Sequence, residues 1–146
     1  MASGEFILYP YIASQVGLEE LFTRSNAVTL HLPLTRETHG LVGADLLARM
    51  PTASYLVNTA RGGLVELDAV LRALEEGVLA GVALDVLPEE PPPPDHPVLA
   101  HPRALVTPHV AWYSRESEVE LRRKAAGNVV TWARTGRPDY PVVEGR

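Results

Sequence analysis

Short apolar runs alternate with segments of helical periodicity along the chain. Residues 54–57, 81–84 and 104–106 are apolar runs of the length and continuity typical of strands buried in a parallel sheet. Residues 27–31 form a fourth such run, which ends before Pro33, a residue without an N–H for further pairing. Because strands and helices alternate, the pattern predicts an α/β fold with a doubly wound, Rossmann-like parallel sheet and right-handed crossovers.

Helical periodicity predicts helices in the segments between the strands. The clearest example is 67–74, where leucine and valine recur at i, i+3, i+4 and i+7 and Gly77 follows as a terminator. Ser114 can cap the longest helix, with acidic residues in its first turn. Prolines and polar residues make 89–97 a surface loop. The predicted helices cover residues 18–25, 43–50, 67–74 and 114–135.

Length and composition restrict the classes of function. A chain of 146 residues is long enough for one domain. Its net charge of -5 gives no sign of the positively charged surface that binds nucleic acid or an anionic membrane. The sequence has no cysteine, which excludes disulfides and thiolate chemistry and fits a cytoplasmic location. We also expect neither a signal peptide nor a membrane span.

Polar motifs follow three of the predicted strands. They contain Arg61, Glu90 and His109, each in a loop just beyond the carboxyl end of its strand. Ligands of open α/β sheets bind at that edge. A cation, a carboxylate and an imidazole at one site are suited to binding a small anionic substrate and to transferring a proton to or from it. Since parallel strands end at the same edge, we expect the three side chains to converge there.

The three motifs, Asn-Thr-Ala-Arg-Gly-Gly at 58–63, Asp-Val-Leu-Pro-Glu-Glu-Pro at 85–91 and Thr-Pro-His-Val-Ala-Trp at 107–112, resemble the D-isomer-specific 2-hydroxyacid dehydrogenases. The resemblance extends from about residue 17 to residue 138 and includes 18–21 and 28–35. Residues 111–114 are similar to the branch that contains the C-terminal-binding-protein corepressors.

The resemblance also has gaps. The family's N-terminal substrate domain and its G-x-G-x-x-G turn have no match in the chain. We therefore interpret residues 1–146 as a partial dinucleotide-binding domain. Residues 1–6 are either native or the kind of linker that an expression vector encodes.

By this resemblance, Arg61 binds the substrate carboxylate, for which its planar fork of donors is well suited. His109 is the acid/base that protonates the 2-keto oxygen, and Glu90 holds the imidazole and favours its charged form. Without the resemblance, Arg61 would be a surface arginine and Glu90 one more loop acid.

The resemblance implies NAD as the cofactor, without excluding NADP. His31 and Pro33 would wall the adenine–ribose side, while Thr59, Ala60 and Asp85 would lie near the nicotinamide. Taken alone, His31 is a hydrogen-bonded strand-end histidine and Asp85 a strand-end aspartate that satisfies local amides. No histidine spacing suggests a metal site. The implied cofactor-binding set is His31, Pro33, Thr59, Ala60, Arg61, Asp85, His109 and Ala111.

The usual strand order of this fold, 3-2-1-4-5-6, predicts a difficulty. If 27–31 is strand 3 and 54–58 is strand 4, a gap lies between them unless residues 7–9 or another chain fill it. Such a gap would expose unpaired backbone and favour a homo-oligomer.

Two functions are consistent with the sequence. The chain is a fragment of an NAD-dependent oxidoreductase of D-2-hydroxy acids and small 2-keto acids, weak or inactive in isolation. Alternatively, it is a non-catalytic module derived from that domain, which self-associates or binds a protein. Ligand-dependent stabilisation by NADH would favour the first function, and concentration-dependent stability the second.

Overall fold

A computed structural model describes residues 14–141 of the chain. Within this described part the chain divides into two compact units, with the division between Pro108 and His109. Within the described part, the helices are α1 (Leu18–Arg24), α2 (Ala44–Leu47), α3 (Leu67–Glu75), α4 (Pro97–Ala100) and α5 (Arg115–Thr135), with a 3-10 turn at Gly62–Leu64. The strands are β1 (Ala27–Leu30), β2 (Ser54–Asn58), β3 (Leu79–Leu84) and β4 (Ala104–Val106).

The four strands form one parallel sheet in the order β1-β2-β3-β4. The register pairs Leu30 with Asn58, Asn58 with Leu84, and Leu84 with Val106. The last residues of all four strands therefore lie side by side at one edge. Every loop that follows a strand starts from this carboxyl edge.

One face of the sheet carries the hydrophobic core. Alternate strand residues such as Val28 and Leu56 are buried there, and α1, α2 and α3 contribute Phe22, Leu47 and Leu74 to the same core. Helix α3 ends before Gly77, whose φ of 76° is a left-handed conformation that glycine adopts without strain. The helices between the strands thus cover this face, as right-handed crossovers require.

The opposite face of the sheet is open along its centre. Tyr55 and Leu105 on this face are 54% and 64% exposed. Strand β3 lies between them, and the Tyr55 ring lies close to Gly81 of that strand, because a Cβ at Gly81 would be 3.2 Å from Tyr55 Cε1. The first unit therefore presents an apolar sheet surface to solvent.

The second unit is dominated by α5. Ser114 and Ser117 form a reciprocal capping box at its start, and Gly136 ends it with a φ of 73°. Hydrogen bonds from Arg123 and Lys124 to the Glu120 carboxylate lower the pKa of that group to about 2. The predicted cap and the predicted length of this helix are confirmed.

Most predicted elements are confirmed within a few residues, but two expectations are corrected. No gap separates residues 27–30 from residues 54–58, because β1 pairs directly with β2 over four residue pairs. The predicted helix at 43–50 is shorter, and residues 48–50 continue it as tight turns. The short helix α4 lies at the end of the proline-rich loop and was not predicted. Residues 7–9 lie outside the described part of the chain.

Truncating a core leucine should cost far more stability than truncating one on the open face. Leu56 is fully buried on β2, so Leu56→Ala should lower the free energy of unfolding by about 2–5 kcal/mol. Leu105→Ala, the matched control on β4, should change it by less than about 1 kcal/mol. Urea unfolding monitored by circular dichroism measures both values. Equal losses would contradict the assignment of the two faces.

Candidate active site

The site is built on a turn that follows β2. Asn58 ends the strand, and its side chain is completely buried. Its Nδ2 donates to the carbonyl oxygen of Arg61 at 2.9 Å, and its Oδ1 accepts from the N–H of Ala60 at 3.0 Å. Both ends of the amide are thereby used within one tight turn, which fixes the backbone that carries Arg61.

Arg61 occupies the end of this turn with an exposed side chain. Its Nη1 donates to the carbonyl oxygen of the preceding Ala60 at 2.6 Å, which leaves other guanidinium N–H groups directed elsewhere. The backbone at Arg61 is extended, with φ of -149°, and the 3-10 turn begins at the next residue. An exposed cation on a turn held by a buried side chain is a geometry suited to an anionic ligand.

Gly62 brings the arginine turn against a second loop. A Cβ at this position would lie 2.0 Å from the carbonyl carbon of Leu87 and 2.4 Å from the nitrogen of Pro88. Real side chains do not tolerate such distances, so the two backbones touch because residue 62 has no side chain. The loop after β2 and the loop after β3 therefore pack directly on each other.

Glu90 lies in the second loop. Its Oε1 accepts from the N–H of Leu87 at 2.9 Å, the residue whose backbone touches Gly62. The side chain of Glu90 is exposed. Arg61 and Glu90 thus belong to loops that contact each other.

Asp85 is buried at the end of β3, with 5% of its surface exposed. Its N–H donates to the carbonyl oxygen of Asn58 at 2.9 Å, and its Oδ1 accepts from the Thr107 hydroxyl at 2.5 Å. The carboxylate is therefore held by the residue that follows β4. One chain of hydrogen bonds runs across the carboxyl edge from β2 to β4.

An open cleft of about 670 Å³ lies beside the arginine turn. His31 donates to, or accepts from, the Thr29 hydroxyl through Nε2 at 2.9 Å and lies at one end of the cleft. Four of the predicted cofactor-binding residues line this cleft, namely His31, Pro33, Ala60 and Arg61. Thr59 is exposed and does not line it. The full lining consists of His31, Leu32, Pro33, Leu34, Ala60 and Arg61.

The cleft fits one side of a nicotinamide dinucleotide. Its apolar wall at 32–34 suits the face of a planar ring or a ribose, and Arg61 places a cation at its rim. A glycine-rich turn that could hold the pyrophosphate does not occur in the sequence. The lining residues can thus pack against a ring or a ribose of such a cofactor, whereas the sequence contains no glycine-rich turn for its phosphates.

His109 and Ala111 belong to the second unit, and both are exposed. His109 has a left-handed backbone, with φ of 54°, and its carbonyl oxygen accepts from Trp112 Nε1 at 2.9 Å. The Trp112 ring contacts Tyr113 edge to face, with ring centroids 5.7 Å apart. The convergence of His109 with Arg61 and Glu90 stays a prediction.

Three residues that shape the site are not identified as such by the sequence pattern. Asn58 is recognisable only as part of a motif, Gly62 as a neighbour of Arg61, and Thr107 as the end of a strand. A polar residue at the end of an apolar run is the one available signal for Asn58 and Thr107, and it does not reveal a partner. Among residues 14–141, no group of three or more His, Asp or Glu side chains is arranged to hold a metal ion.

The parallel sheet, its carboxyl-edge loops and the adjoining cleft define a Rossmann-like α/β domain. Residues 5–111 match the family model described as D-isomer specific 2-hydroxyacid dehydrogenase, NAD binding domain. The chain therefore belongs to this family, as the resemblance of its three motifs implied. In the part of the chain that the structure describes, no helix is long and apolar enough to cross a membrane.

Individual relatives agree with the family model. The chain is 42% identical over 130 residues to a glycerate dehydrogenase of Methylorubrum extorquens, covering 87% of this chain and 41% of that protein. The crystal structure of the TT0316 protein from Thermus thermophilus matches with a TM-score of 0.86 at 40% identity, over 92% of this chain and 43% of that one. A D-isomer specific 2-hydroxyacid dehydrogenase from Xanthobacter autotrophicus, in complex with NADPH and MES, matches with a TM-score of 0.72 at 34% identity, over 88% and 41% of the two chains. The chain thus spans about two fifths of the length of these relatives.

Adding a methyl group at Gly62 should separate the two loops. Gly62→Ala places a Cβ against the backbone of Leu87, and this backbone can move away only if the whole loop after β3 shifts. We therefore expect a loss of about 1–3 kcal/mol in the free energy of unfolding. Gly63→Ala is the matched control, because its Cβ would meet side chains and not backbone, the nearest being the end of the flexible Leu34 side chain at 2.9 Å. Urea unfolding of both variants tests the contact. A control that loses as much stability as Gly62→Ala would contradict it.

Proposed function

We propose that this chain is part of a nicotinamide-dependent dehydrogenase that reduces small 2-keto acids to D-2-hydroxy acids. The observation that carries the proposal is the direct contact between the arginine turn and the Glu90 loop through Gly62, in a chain of this family. The contact puts a cation and a carboxylate on adjoining loops at the ligand-binding edge of the sheet. The substrate class is supported by the glycerate dehydrogenase relative.

In the proposed mechanism, Arg61 binds the substrate carboxylate. The guanidinium is exposed at the rim of the cleft, on a turn held by a buried side chain, and two of its N–H groups can reach both carboxylate oxygens. Binding at this end fixes where the 2-keto carbon lies. Arg61→Lys would retain the charge but lose the paired donors.

His109 donates a proton to the 2-keto oxygen as that oxygen becomes a hydroxyl, and it removes the proton in the oxidative direction. Glu90 orients the imidazole and stabilises its protonated form. NADH, when bound, supplies the hydride that reaches the keto carbon. Hydride and proton together balance the reduction of a 2-keto acid to a 2-hydroxy acid.

The choice between NAD and NADP is part of the proposal. The family model describes an NAD-binding domain, whereas one matched structure holds NADPH, so we propose NAD as the main cofactor without excluding NADP. A cytoplasmic location remains a prediction from the cysteine-free composition. The similarity of residues 111–114 to the corepressor branch is likewise a prediction.

We expect the isolated chain to have undetectable or very weak dehydrogenase activity. Two or three charge-assisted hydrogen bonds to the pyrophosphate are missing, at about 1.5–3 kcal/mol each, which weakens cofactor binding by roughly two to six decades. The measurement is NADH oxidation by the purified chain with glyoxylate, hydroxypyruvate and pyruvate. Robust turnover that disappears in His109→Ala would show that the chain rebuilds the phosphate site by other means.

A chimera tests the chemistry separately from the missing segments. This sequence would replace the matching 130-residue segment of the Methylorubrum glycerate dehydrogenase. We expect NADH-dependent turnover of a 2-keto acid, a kcat at least about a hundredfold lower for His109→Ala, and a KM raised mainly by Arg61→Lys. An active chimera that is indifferent to both substitutions would refute the assigned roles.

The alternative function is a module that self-associates through the open sheet face. The central gap that first suggested association does not exist, but Tyr55 and Leu105 leave an apolar surface on the sheet, 54% and 64% exposed respectively. Exposed apolar patches of this kind mark interaction sites. This observation favours association independently of any catalysis.

If association uses the sheet face, polar substitution there should dissociate the chain. We expect the wild-type chain to sediment with a concentration-dependent mass, and the double variant Tyr55→Ser, Leu105→Ser to sediment as a monomer. Leu99→Ser on α4, where Leu99 is 42% exposed, is the control for general loss of surface hydrophobicity. A compact wild-type monomer at every concentration would exclude the alternative.

A further inference from the structure

Asn58 is a fully buried polar residue that the proposed mechanism does not use. Its side chain joins both ends of the turn that carries Arg61, with 2.9 Å to the Arg61 carbonyl oxygen and 3.0 Å to the Ala60 N–H. Its own carbonyl oxygen accepts from the N–H of Asp85 at 2.9 Å. One residue therefore connects the end of β2, the arginine turn and the end of β3.

The same turn is locked from its other side. Gly62 follows Arg61 and touches the Leu87 backbone, and the N–H of Leu87 donates to Glu90 Oε1 at 2.9 Å. A shift of the turn would therefore press on the segment that the Glu90 side chain holds. Close packing between backbones transmits such a displacement because neither side has a flexible side chain to absorb it.

We propose that Asn58 is the positioning residue of the site, which holds the Arg61 turn and, through the contact at Gly62, the Leu87–Glu90 segment as one unit. The proposal deepens the proposed function and rests on the role of Arg61 as the carboxylate-binding residue. Asn58 touches no reacting atom and acts through the backbone of Arg61.

The chemistry of the position requires an amide. The Asn58 side chain donates at one end and accepts at the other, which an ionised carboxylate of the same shape cannot do. In Asn58→Asp, a carboxylate oxygen would face the Arg61 carbonyl oxygen and repel it. Protonation of that carboxyl would restore a donor, so the defect should be reversed at low pH.

The first measurement is backbone hydrogen exchange on the full chain, followed residue by residue by NMR. In the wild type, the Ala60 and Leu87 N–H groups should have protection factors within about threefold of each other, as expected of one cooperative unit. In Asn58→Asp at neutral pH, both factors should fall at least about tenfold, and both should recover as the carboxyl protonates. Leu87 reports the coupling, since Asn58 makes no hydrogen bond to it among those described.

Ser54→Ala is the matched control. Ser54 is as completely buried as Asn58 and lies at the other end of β2, where its hydroxyl donates to the Pro51 carbonyl oxygen at 2.5 Å. This variant should lower stability without a pH-dependent loss of protection at Leu87. A buried carboxylate also lowers stability in a pH-dependent way, and such a general loss would reduce the protection of core amides such as Leu74 on α3 together with that of Leu87. A loss confined to Ala60 and Leu87 is therefore what separates positioning from structural support.

The second measurement is binding of oxamate, an unreactive 2-keto acid analogue, to the same variants. If the wild type binds it, Asn58→Asp at neutral pH should weaken binding at least about fivefold while Ser54→Ala does not. A wild type that binds no oxamate counts against the proposed role of Arg61, and the exchange data alone then decide whether Asn58 couples the loops.

Three results would overturn the proposal. Protection factors of Ala60 and Leu87 that differ more than about tenfold in the wild type would show that the two loops open separately. Unchanged Leu87 protection in Asn58→Asp would exclude transmission through Gly62. An equal loss of protection at Leu74 and Leu87 in Asn58→Asp would reduce Asn58 to a structural residue. Because the first comparison uses the wild type, it can overturn the proposal even if a variant does not fold.

Discussion

The carboxyl edge of the sheet depends on the satisfaction of one buried amide. Asn58 has no access to water, so its donor and its acceptor must both find partners inside the protein. They find them at Arg61 and Ala60, in the turn that directly follows. Leaving either group unpaired would cost about 1–3 kcal/mol, which strongly favours a single conformation of the turn. The position of the arginine in the fold follows from this constraint.

The remaining contacts of the site extend outward from that turn. The backbone of Asn58 pairs with Asp85 on the neighbouring strand, and Asp85 in turn accepts from Thr107 beyond β4. Gly62 seats the turn on the loop that contains Glu90. These links use short side chains, which have little rotamer freedom to lose, and backbone groups next to strands that the sheet already orders. The polar groups at this edge are thus hydrogen-bonded to the strand ends themselves.

The two faces of the sheet differ sharply. On one face, α3 packs against β3 and closes the core, whereas on the other Tyr55 and Leu105 stay exposed. The chain covers about two fifths of the length of its relatives, and the open face, the cleft lined by 31–34 and 60–61 and the exposed Arg61 are features of this part of the fold. The proposed substrate site lies at the carboxyl edge of the sheet, whereas the exposed apolar surface lies on one of its faces.

The sequence by itself determined the local elements and the family. The apolar runs, the periodicity of 67–74 and the cap at Ser114 are local signals, and each of them corresponds to an element in the structure. The arginine, glutamate and histidine motifs were recognisable because their residue types and order lie within short segments. Local propensity and burial patterning were sufficient for these features.

Only the tertiary structure decided how the elements meet. A parallel strand pairs with a partner many residues away, so its neighbour is set by packing and crossover geometry and not by its own sequence. This is why the expected gap between 27–31 and 54–58 was wrong and β1 pairs with β2. The burial of Asn58 depends on the elements packed around it, which the hydrophobic pattern of its own segment does not identify. The contact of Gly62 with Leu87 likewise joins two segments that are distant in sequence. Their physical basis is the packing of loops at one edge of a sheet, which exists only once the sheet has formed.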